Sequence, residues 1–160
     1  MRVSVIIPAY NSETMLDRCL KALSNSTCRE FEVILVDDNS QDATKEIVKN
    51  FPFVRYFRNQ TNLGPAISRN LGAKHAKGKY LFFIDADCVP ETDWIERMLI
   101  RFTKSTDVVA VSGGYSNPVD REDILQLFQH LDIKFRHRKI KESIESTTSG
   151  NLGVIKEVFD

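Results

Sequence analysis

The chain has 160 residues, of which 42% are hydrophobic and 28% charged, and its 22 basic side chains equal its 22 acidic side chains in number. This composition is typical of one globular domain and argues against a disordered or a membrane-spanning chain. Because the net charge is zero, no long-range field attracts nucleic acid, and we expect no nucleic-acid partner.

The first half of the chain alternates between predicted strands and helices. Residues 2–8 are apolar and largely β-branched, which indicates a strand covered on both faces, and Pro8 is expected to end it. A helix capped by Asn11 or Ser12 should follow, because apolar residues recur at helical spacing as far as Leu23. The rest of this half is predicted as a strand, a helix and a strand, at residues 31–36, 42–49 and 53–57.

The second half continues the alternation and then leaves it. We predict a helix with Pro65 in its first turn, then a strand, a helix and a strand, at residues 65–76, 80–84, 91–104 and 108–112. Residues 121–142 are predicted to form one long helix whose end is rich in lysine and arginine. Such a basic face is either solvated or makes a peripheral contact with anionic lipid.

Short connections between alternating strands and helices predict an α/β fold with a mostly parallel, doubly wound sheet. The apolar runs are too short to cross a bilayer, and the N-terminus does not resemble a signal peptide. The three cysteines, Cys19, Cys28 and Cys88, are odd in number and lack CxxC spacing. We therefore expect free thiols and a cytoplasmic location, with any membrane contact at the cytoplasmic face.

Paired carboxylates follow two of the predicted strands. In open α/β sheets ligands collect beyond the carboxyl ends of the strands, where this sequence has Asp37-Asp38 and Asp85-Ala86-Asp87. An extended backbone would direct Asp85 and Asp87 to one side, where their oxygens suit Mg²⁺ or Mn²⁺. The alternative is that both carboxylates cap the following helix or lie in a solvated turn.

Asp37 and Asp38 allow two interpretations. Asp-Asp-Asn-Ser is typical of a strand-to-helix turn, but a carboxylate here could also accept hydrogen bonds from a base or a ribose. Arg69, on the third predicted helix, either pairs with Asp37 or Asp38 or approaches a diphosphate. The sequence has no GxGxxG after the first strand, no P-loop, no GxSxG elbow and no histidines at metal-ligand spacing.

Four motifs in chain order resemble the family 2 glycosyltransferases. They are Val-Ser-Val-Ile-Ile-Pro-Ala-Tyr-Asn11, Val-Asp-Asp-Asn-Ser-Gln-Asp42, Asn62-Leu-Gly-Pro-Ala-Ile-Ser-Arg-Asn70 with Gly72, and Phe83-Ile-Asp-Ala-Asp87. The resemblance covers essentially the whole chain and implies a GT-A fold. It also implies a nucleotide-diphosphate sugar donor, a divalent metal, Mg²⁺ or Mn²⁺, and transfer with inversion at the anomeric carbon.

The resemblance also implies roles for individual residues. The loop of Pro8, Ala9 and Tyr10 would contact the nucleoside mainly through backbone groups. Asp38 would receive the base N–H with Asp37 supporting it, and Arg69 would lie beside the nucleotide. Asp87 would bind the metal that bridges the diphosphate, while Asp85 would lie against the ribose or the donor sugar and contribute to the metal site.

By the same resemblance, residues 1–160 form one domain, with a nucleotide-binding core at 1–112 and the start of an acceptor-side region at 113–160. The family's acidic general base is expected beyond Asp160, so the chain reads as C-terminally truncated. UDP is the first expectation for the nucleotide, followed by GDP, and the acceptor would be a polysaccharide, a lipid-linked carrier or a protein. The alternatives are a non-catalytic nucleotide-sugar-binding remnant and a metal-dependent nucleotidyltransferase.

Overall fold

The computed structural model describes residues 2–104, 108–114 and 150–159, and the helix predicted at 121–142 lies outside them. Strands and helices alternate along the described residues as predicted. In chain order the elements are β1 (Val3–Ala9), α1 (Leu16–Ser24), β2 (Phe31–Asp37), α2 (Thr44–Val48), β3 (Val54–Arg58), α3 (Pro65–His75), β4 (Tyr80–Ile84), α4 (Trp94–Lys104), β5 (Ala110–Ser112), β6 (Asn151–Ile155) and α5 (Lys156–Phe159).

The described strands form one six-stranded sheet in the order β3-β2-β1-β4-β6-β5. Strands β1 to β4 run parallel to one another, whereas β6 is antiparallel to both β4 and β5. The predicted α/β fold with a mostly parallel sheet is therefore confirmed. The chain builds outward from β1 to β3 and then returns to place β4 on the other side of β1, so the strand order reverses between β1 and β4.

Strand β6 is absent from the sequence-based prediction. It is short, begins with the polar Asn151 and contains Gly153, so its own residues favour a strand only weakly. Its place is decided by β4, because a Cβ on Gly153 would lie 2.9 Å from the Phe82 ring. Only glycine lets the two strands pair at this point.

Alternating side chains of the sheet divide the interior into two cores. Val5 and Ile7 of β1 face a core with α1 and α4, whereas Ile6 faces a core with α3. Gly72 on α3 lies so close to β1 that a Cβ there would stand 2.5 Å from Cγ2 of Ile6. Because glycine permits this approach, α3 and its Arg69 are fixed against the middle of the sheet.

Two local predictions at the first strand are wrong. Pro8 does not end β1, which pairs with β2 as far as Ala9. The Ala9 carbonyl accepts from Asp38 N–H on the β2 side, so the nitrogen of Pro8 points to the opposite side, toward β4. The pairing of β1 with β4 ends at Ile6, so the missing N–H of Pro8 costs the sheet no hydrogen bond. Neither Asn11 nor Ser12 caps α1 through its side chain, because Met15 directly precedes the helix.

Candidate functional site

The loops that follow β1, β2 and β4 lie at one edge of the sheet. These strands are parallel neighbours, with β1 in the centre, so their carboxyl ends point the same way. The last residues of these strands and the loops after them contain all the residues predicted to bind a ligand except Arg69, which α3 supplies. This edge includes the point between β1 and β4 where the strand order reverses, which is where open α/β sheets bind ligands.

The loops after β1 and β2 are joined by side chains from the two matching motifs. Asn11 N–H donates to Oγ of Ser40 at 2.9 Å, and Gln41 N–H donates to Oδ1 of Asn11 at 2.9 Å. Just after these motifs, Ser12 N–H donates to Oγ1 of Thr44 at 2.8 Å. The short polar side chains of these motifs therefore fix the shape of the loops, in addition to any contact with a ligand.

Pro8, Ala9 and Tyr10 differ in their exposure. Pro8 and Ala9 are buried, and the Ala9 carbonyl already accepts from Asp38 N–H at 2.8 Å. Tyr10 N–H donates to Ser12 Oγ at 3.2 Å, but 51% of Tyr10 is exposed. Among these three residues the Tyr10 side chain is thus the group most accessible to a ligand. The sequence analysis had instead expected the nucleoside to be contacted mainly through backbone groups.

Asp37 is fully buried and acts within the protein. Its carboxylate accepts from Ser40 N–H at 2.8 Å and from the Tyr56 hydroxyl at 2.5 Å, and Arg58 lies 3.7 Å away. Burial together with this hydrogen bond to Asp37 raises the pKa of Tyr56 to about 12, so the tyrosine remains a donor. These contacts are all within the protein, and the support that Asp37 would give to a ligand contact by Asp38 stays a prediction.

Asp38 anchors the chain segment that leads into α3. Its Oδ1 accepts from Nδ2 of Asn59 at 2.7 Å and from Leu63 N–H at 2.9 Å, and its Oδ2 accepts from Gly64 N–H at 2.7 Å. Burial acts to raise the pKa of Asp38, but these hydrogen bonds outweigh it and hold the pKa below the ordinary value of 3.8. Asp38 is therefore an ionised acceptor that holds Gly64 at the start of α3.

Arg69 pairs with Asp85, and the expectation that it pairs with Asp37 or Asp38 is wrong. One guanidinium nitrogen of Arg69 donates to Oδ1 of Asp85, and only 13% of the arginine side chain is exposed. The physical reason is the packing of α3 on β1, the neighbour of β4, which brings the helix to the end of β4. The Nε of Arg69 is buried without a partner, so one donor remains unused.

The segment from Asp85 to Asp87 is a turn, which corrects the expectation of an extended backbone. Cys88 N–H donates to the carbonyl of Asp85 at 3.0 Å, closing the turn, and Ala86 is buried beneath it. Asp85 is held by Arg69, whereas Asp87 is exposed. The two carboxylates therefore have different surroundings, although both flank the same turn.

The chemistry of this turn fits a divalent cation for which phosphates and water supply most of the ligands. In the described residues no lysine or arginine pairs with Asp87, and the only hydrogen bond to its carboxylate is a weak one from the Cys88 thiol at 3.6 Å. Among residues 2–104, 108–114 and 150–159, no group of three or more histidine, cysteine, aspartate or glutamate side chains is arranged to hold a metal. One or two carboxylates with phosphates and water are the usual set for Mg²⁺.

Burial and the adjacent carboxylates also determine the state of the neighbouring thiols. Burial, then the negative charges of Asp87 and Asp85, raise the pKa of Cys88 to about 12. Burial is likewise the main reason that the pKa of Cys19 is raised to about 12. Both groups are therefore neutral thiols at ordinary pH and weak ligands for a hard cation.

Asp87 stands at the rim of a cavity of about 560 Å³. The buried side chains of Ile84, Trp94 and Met98 form its apolar floor, and Asn151 closes one side. Nε1–H of Trp94 donates to Oδ1 of Asn151 at 2.9 Å, which ties α4 to β6. The volume is within the range of small-molecule sites.

Of the residues that line this cavity, the sequence analysis predicted only Asp87 as a ligand; the polar residues that it missed include Arg18, Arg101 and Asn151. Arg18 on α1 and Arg101 on α4 line it, and both are exposed. Trp94, Arg97, Met98 and Arg101 recur at helical spacing, so a single face of α4 was predictable. That α1 and β6 meet this face was not predictable from local sequence.

Comparison with known proteins gives consistent results. A family model described as glycosyl transferase family 2 matches residues 4–160. An uncharacterized glycosyltransferase of Haemophilus influenzae is 35% identical over 118 residues, covering 71% of this chain and 47% of that protein. This chain thus spans about half the length of that curated relative.

Two solved structures resemble the described fold. The S. aureus protein TarS, residues 1–349, in complex with UDP-GlcNAc is 28% identical with a TM-score of 0.66, covering 76% of this chain and 37% of that one. The mannosyltransferase PcManGT from Pyrobaculum calidifontis is 21% identical with a TM-score of 0.76, covering 99% of this chain and 45% of that one. At that identity the second likeness supports the fold alone.

A membrane-spanning segment was also sought among the described residues. None of their helices combines the length and the apolar character that crossing a bilayer requires.

Proposed function

Because the chain belongs to glycosyl transferase family 2, we propose that it supplies the donor-binding part of an enzyme that transfers a sugar from a nucleotide-diphosphate sugar to a hydroxyl acceptor. UDP is the proposed nucleotide, and the transfer is proposed to invert the anomeric carbon. The acceptor is a polysaccharide, a lipid-linked glycan or another hydroxyl compound of cell-envelope synthesis.

One structural observation carries the proposal. Asp38 holds Gly64 at the start of α3, and α3 carries Arg69 to Asp85 at the end of β4. These contacts join the loops after β2 and β4 into one continuous edge on either side of β1. A nucleoside at the β2 end and a diphosphate at the β4 end would span this edge.

For the nucleoside, we propose that Tyr10 and Asp38 make the contacts with the base. Tyr10 is exposed beside the loop that Asp38 stabilises, and an aromatic ring can cover the face of a base. Asp38 is buried and accepts hydrogen bonds from Asn59, Leu63, Gly64 and Ser68, so it would receive the base N–H in exchange for one of these contacts. The relative TarS was solved with UDP-GlcNAc, which favours UDP over GDP here.

For the diphosphate, we propose that Asp87 is the main metal ligand, with Asp85 beside it. A bound Mg²⁺ or Mn²⁺ would neutralise the charge that develops on the leaving diphosphate. Arg69 lies against Asp85 and has an unused Nε donor, so it can hold this carboxylate in place and face the phosphate oxygens.

The acceptor side of the proposal lies largely outside the described residues. The general base is proposed to lie beyond Asp160, and the peripheral membrane contact is assigned to residues 121–142, which the structure does not describe. A cytoplasmic location is part of the proposal. Free thiols at Cys19, Cys28 and Cys88 support it.

The test is calorimetric titration of the chain with UDP, GDP and UDP-GlcNAc, each with and without Mn²⁺. We expect binding that is tighter with Mn²⁺ than without it and tighter for UDP than for GDP. The matched variants are Asp87→Ala, which should remove the effect of Mn²⁺, and Asp93→Ala, at a partly exposed carboxylate outside the turn, which should not. Absence of nucleotide binding under every condition would refute the proposal.

A further inference from the structure

The loops after β1 and β2 each contain an asparagine in the left-handed region of the backbone. Asn11 has φ 47° and Asn39 has φ 66°, and no other non-glycine residue has a positive φ in the part of the chain that the structure describes. This conformation is strained in a residue with a side chain and persists only where surrounding contacts hold it. The same two loops carry Tyr10 and Asp38, so these contacts determine where the proposed base-binding groups lie.

The side chain of Arg58, the last residue of β3, holds the loop after β2. Its Nη2 donates to Oδ1 of Asn39 at 3.1 Å and to the carbonyl of Ser40 at 2.8 Å. Its Nη1 lies 3.7 Å from Oδ2 of the buried Asp37. One planar guanidinium therefore spans the turn from Asp37 to Ser40 with two different nitrogens, which the single nitrogen of a lysine could not do.

Hydrogen bonds between the two loops extend this constraint to the loop after β1. Oγ of Ser40 accepts from Asn11 N–H at 2.9 Å, and Gln41 N–H donates to Oδ1 of Asn11 at 2.9 Å. Both contacts hold the left-handed Asn11, which directly follows the exposed Tyr10. A continuous set of contacts thus joins Arg58 to the residue beside Tyr10, although β3 lies two strands away from β1 in the sheet.

We propose that Arg58 is a positioning residue for the nucleoside of the donor. By holding the left-handed turn at Asn39, it places Tyr10 and the adjacent Asp38 where the base binds. This role rests on the proposed function, because it requires that these two residues contact the base. The contacts of Arg58 given above lie at the loops after β1 and β2. Its effect on nucleotide binding should therefore be the same with and without a metal at the turn after β4.

Arg55 provides a matched control on the same strand. Its side chain is 36% exposed, as is that of Arg58, and it also pairs with a buried carboxylate, that of Glu32. The two arginines differ in position, because Arg55 lies three residues earlier in β3, about 10 Å further from the loops at 3.3 Å per residue. Comparing their alanine variants separates a positioning role from the general loss of an ion pair at β3.

The experiment is calorimetric titration of the intact chain with UDP, with and without Mn²⁺, at a temperature where urea unfolding shows each variant to be folded. We expect Arg58→Ala to lose tenfold or more in UDP affinity under both conditions, with the tightening by Mn²⁺ within twofold of that in the unaltered chain. Arg55→Ala should bind UDP within threefold of the unaltered chain. A smaller loss in Arg58→Ala, an equal loss in Arg55→Ala, or a loss seen only with Mn²⁺ would overturn the inference.

The variant Arg58→Lys tests the hydrogen bonds apart from the charge. Lysine keeps a cation beside the buried Asp37, which protects the fold, but it cannot replace both guanidinium nitrogens. We expect a threefold or larger loss of UDP affinity. Affinity equal to that of the unaltered chain would assign the effect of Arg58 to its charge alone and overturn the inference.

A double-mutant cycle with Asn39→Gly tests the route through the left-handed turn. Glycine adopts a positive φ without strain, so the turn no longer depends on Arg58. In this background Arg58→Ala should cost less than threefold in UDP affinity, and a larger cost would overturn the inference. If the unaltered chain binds no UDP, the proposed function fails and the role of Arg58 fails with it. If the unaltered chain and Arg58→Ala bind UDP equally, only the role of Arg58 fails.

Discussion

Arg69 and Asp85 form an ion pair that joins α3 to the end of β4. The arginine is mostly buried, whereas Asp85 is 39% exposed, and Nε of Arg69 has no partner in the described structure. The pair thus links the segment anchored by Asp38 to the turn that carries Asp87. Within that turn, Asp85 is therefore held by Arg69, whereas Asp87 is exposed.

Replacing Arg69 should weaken nucleotide binding more than it weakens the fold. Arg69→Ala removes the cation beside Asp85 and the unused Nε donor, and a charge-assisted hydrogen bond is worth about 1.5–3 kcal/mol. We expect about a tenfold or larger loss of UDP affinity with Mn²⁺, measured by calorimetry. Arg29→Ala, an exposed arginine outside the site, is the control; equal losses in both variants would contradict the prediction.

Asp38 and Asp87 should respond differently when each is changed to asparagine. Asp38 accepts from Asn59, Leu63 and Gly64, so an amide there leaves buried donors unpaired. We expect Asp38→Asn to lower the free energy of unfolding by about 1–3 kcal/mol in a urea titration. An unchanged stability would contradict the anchoring role of Asp38.

Asp87→Asn should leave stability unchanged, because Asp87 is exposed. We expect an effect within about 0.5 kcal/mol on unfolding. The same variant should lose most of the tightening that Mn²⁺ gives to UDP binding, since a neutral amide is a poorer ligand for a hard cation. Retention of the full effect of Mn²⁺ would remove Asp87 from the proposed metal site.

Acid stability should depend on Glu32, at the end of the sheet opposite the site. Burial acts to raise the pKa of Glu32, but hydrogen bonds from Ser4, Lys77 N–H and Arg55 outweigh it and hold the pKa below 4.5. The stabilisation is therefore fully present above the unfolded value of about 4.5 and is lost as the pH falls through the lower folded pKa.

The variant Glu32→Gln tests this assignment. The glutamine does not titrate, so we expect lower stability near neutral pH and a flatter decline of stability below pH 4.5 than in the unaltered chain. Urea unfolding at a series of pH values measures both. The control Glu46→Gln, at an exposed position, should leave the decline of stability below pH 4.5 unchanged. An unaltered slope in Glu32→Gln would show that other carboxylates account for acid unfolding.

Gly72→Ala should destabilise the contact between α3 and β1. The added Cβ would stand 2.5 Å from Cγ2 of Ile6, and overpacking of this kind costs about 1–3 kcal/mol. In a double-mutant cycle the cost should fall when Ile6→Ala removes that methyl group. A cost that is independent of Ile6 would place the effect elsewhere in the helix.

The sequence by itself determined the alternation of strands and helices and the motifs at the strand ends, because hydrophobic periodicity and turn chemistry are properties of neighbouring residues. Tyr80–Ile84 was predicted with its observed bounds. The family and the fold class followed from the same local patterns. The ligand roles of Asp38, Arg69 and Asp87 remain predictions.

Only the tertiary structure decided which residues meet across the fold. Packing of α3 on β1 gives Arg69 the partner Asp85, strand pairing inserts β6 between β4 and β5, and α1 brings Arg18 to the cavity that Arg101 also lines. Each of these contacts joins residues far apart in the chain. Such contacts depend on how whole faces pack together, and a local pattern of residue types carries no information about that.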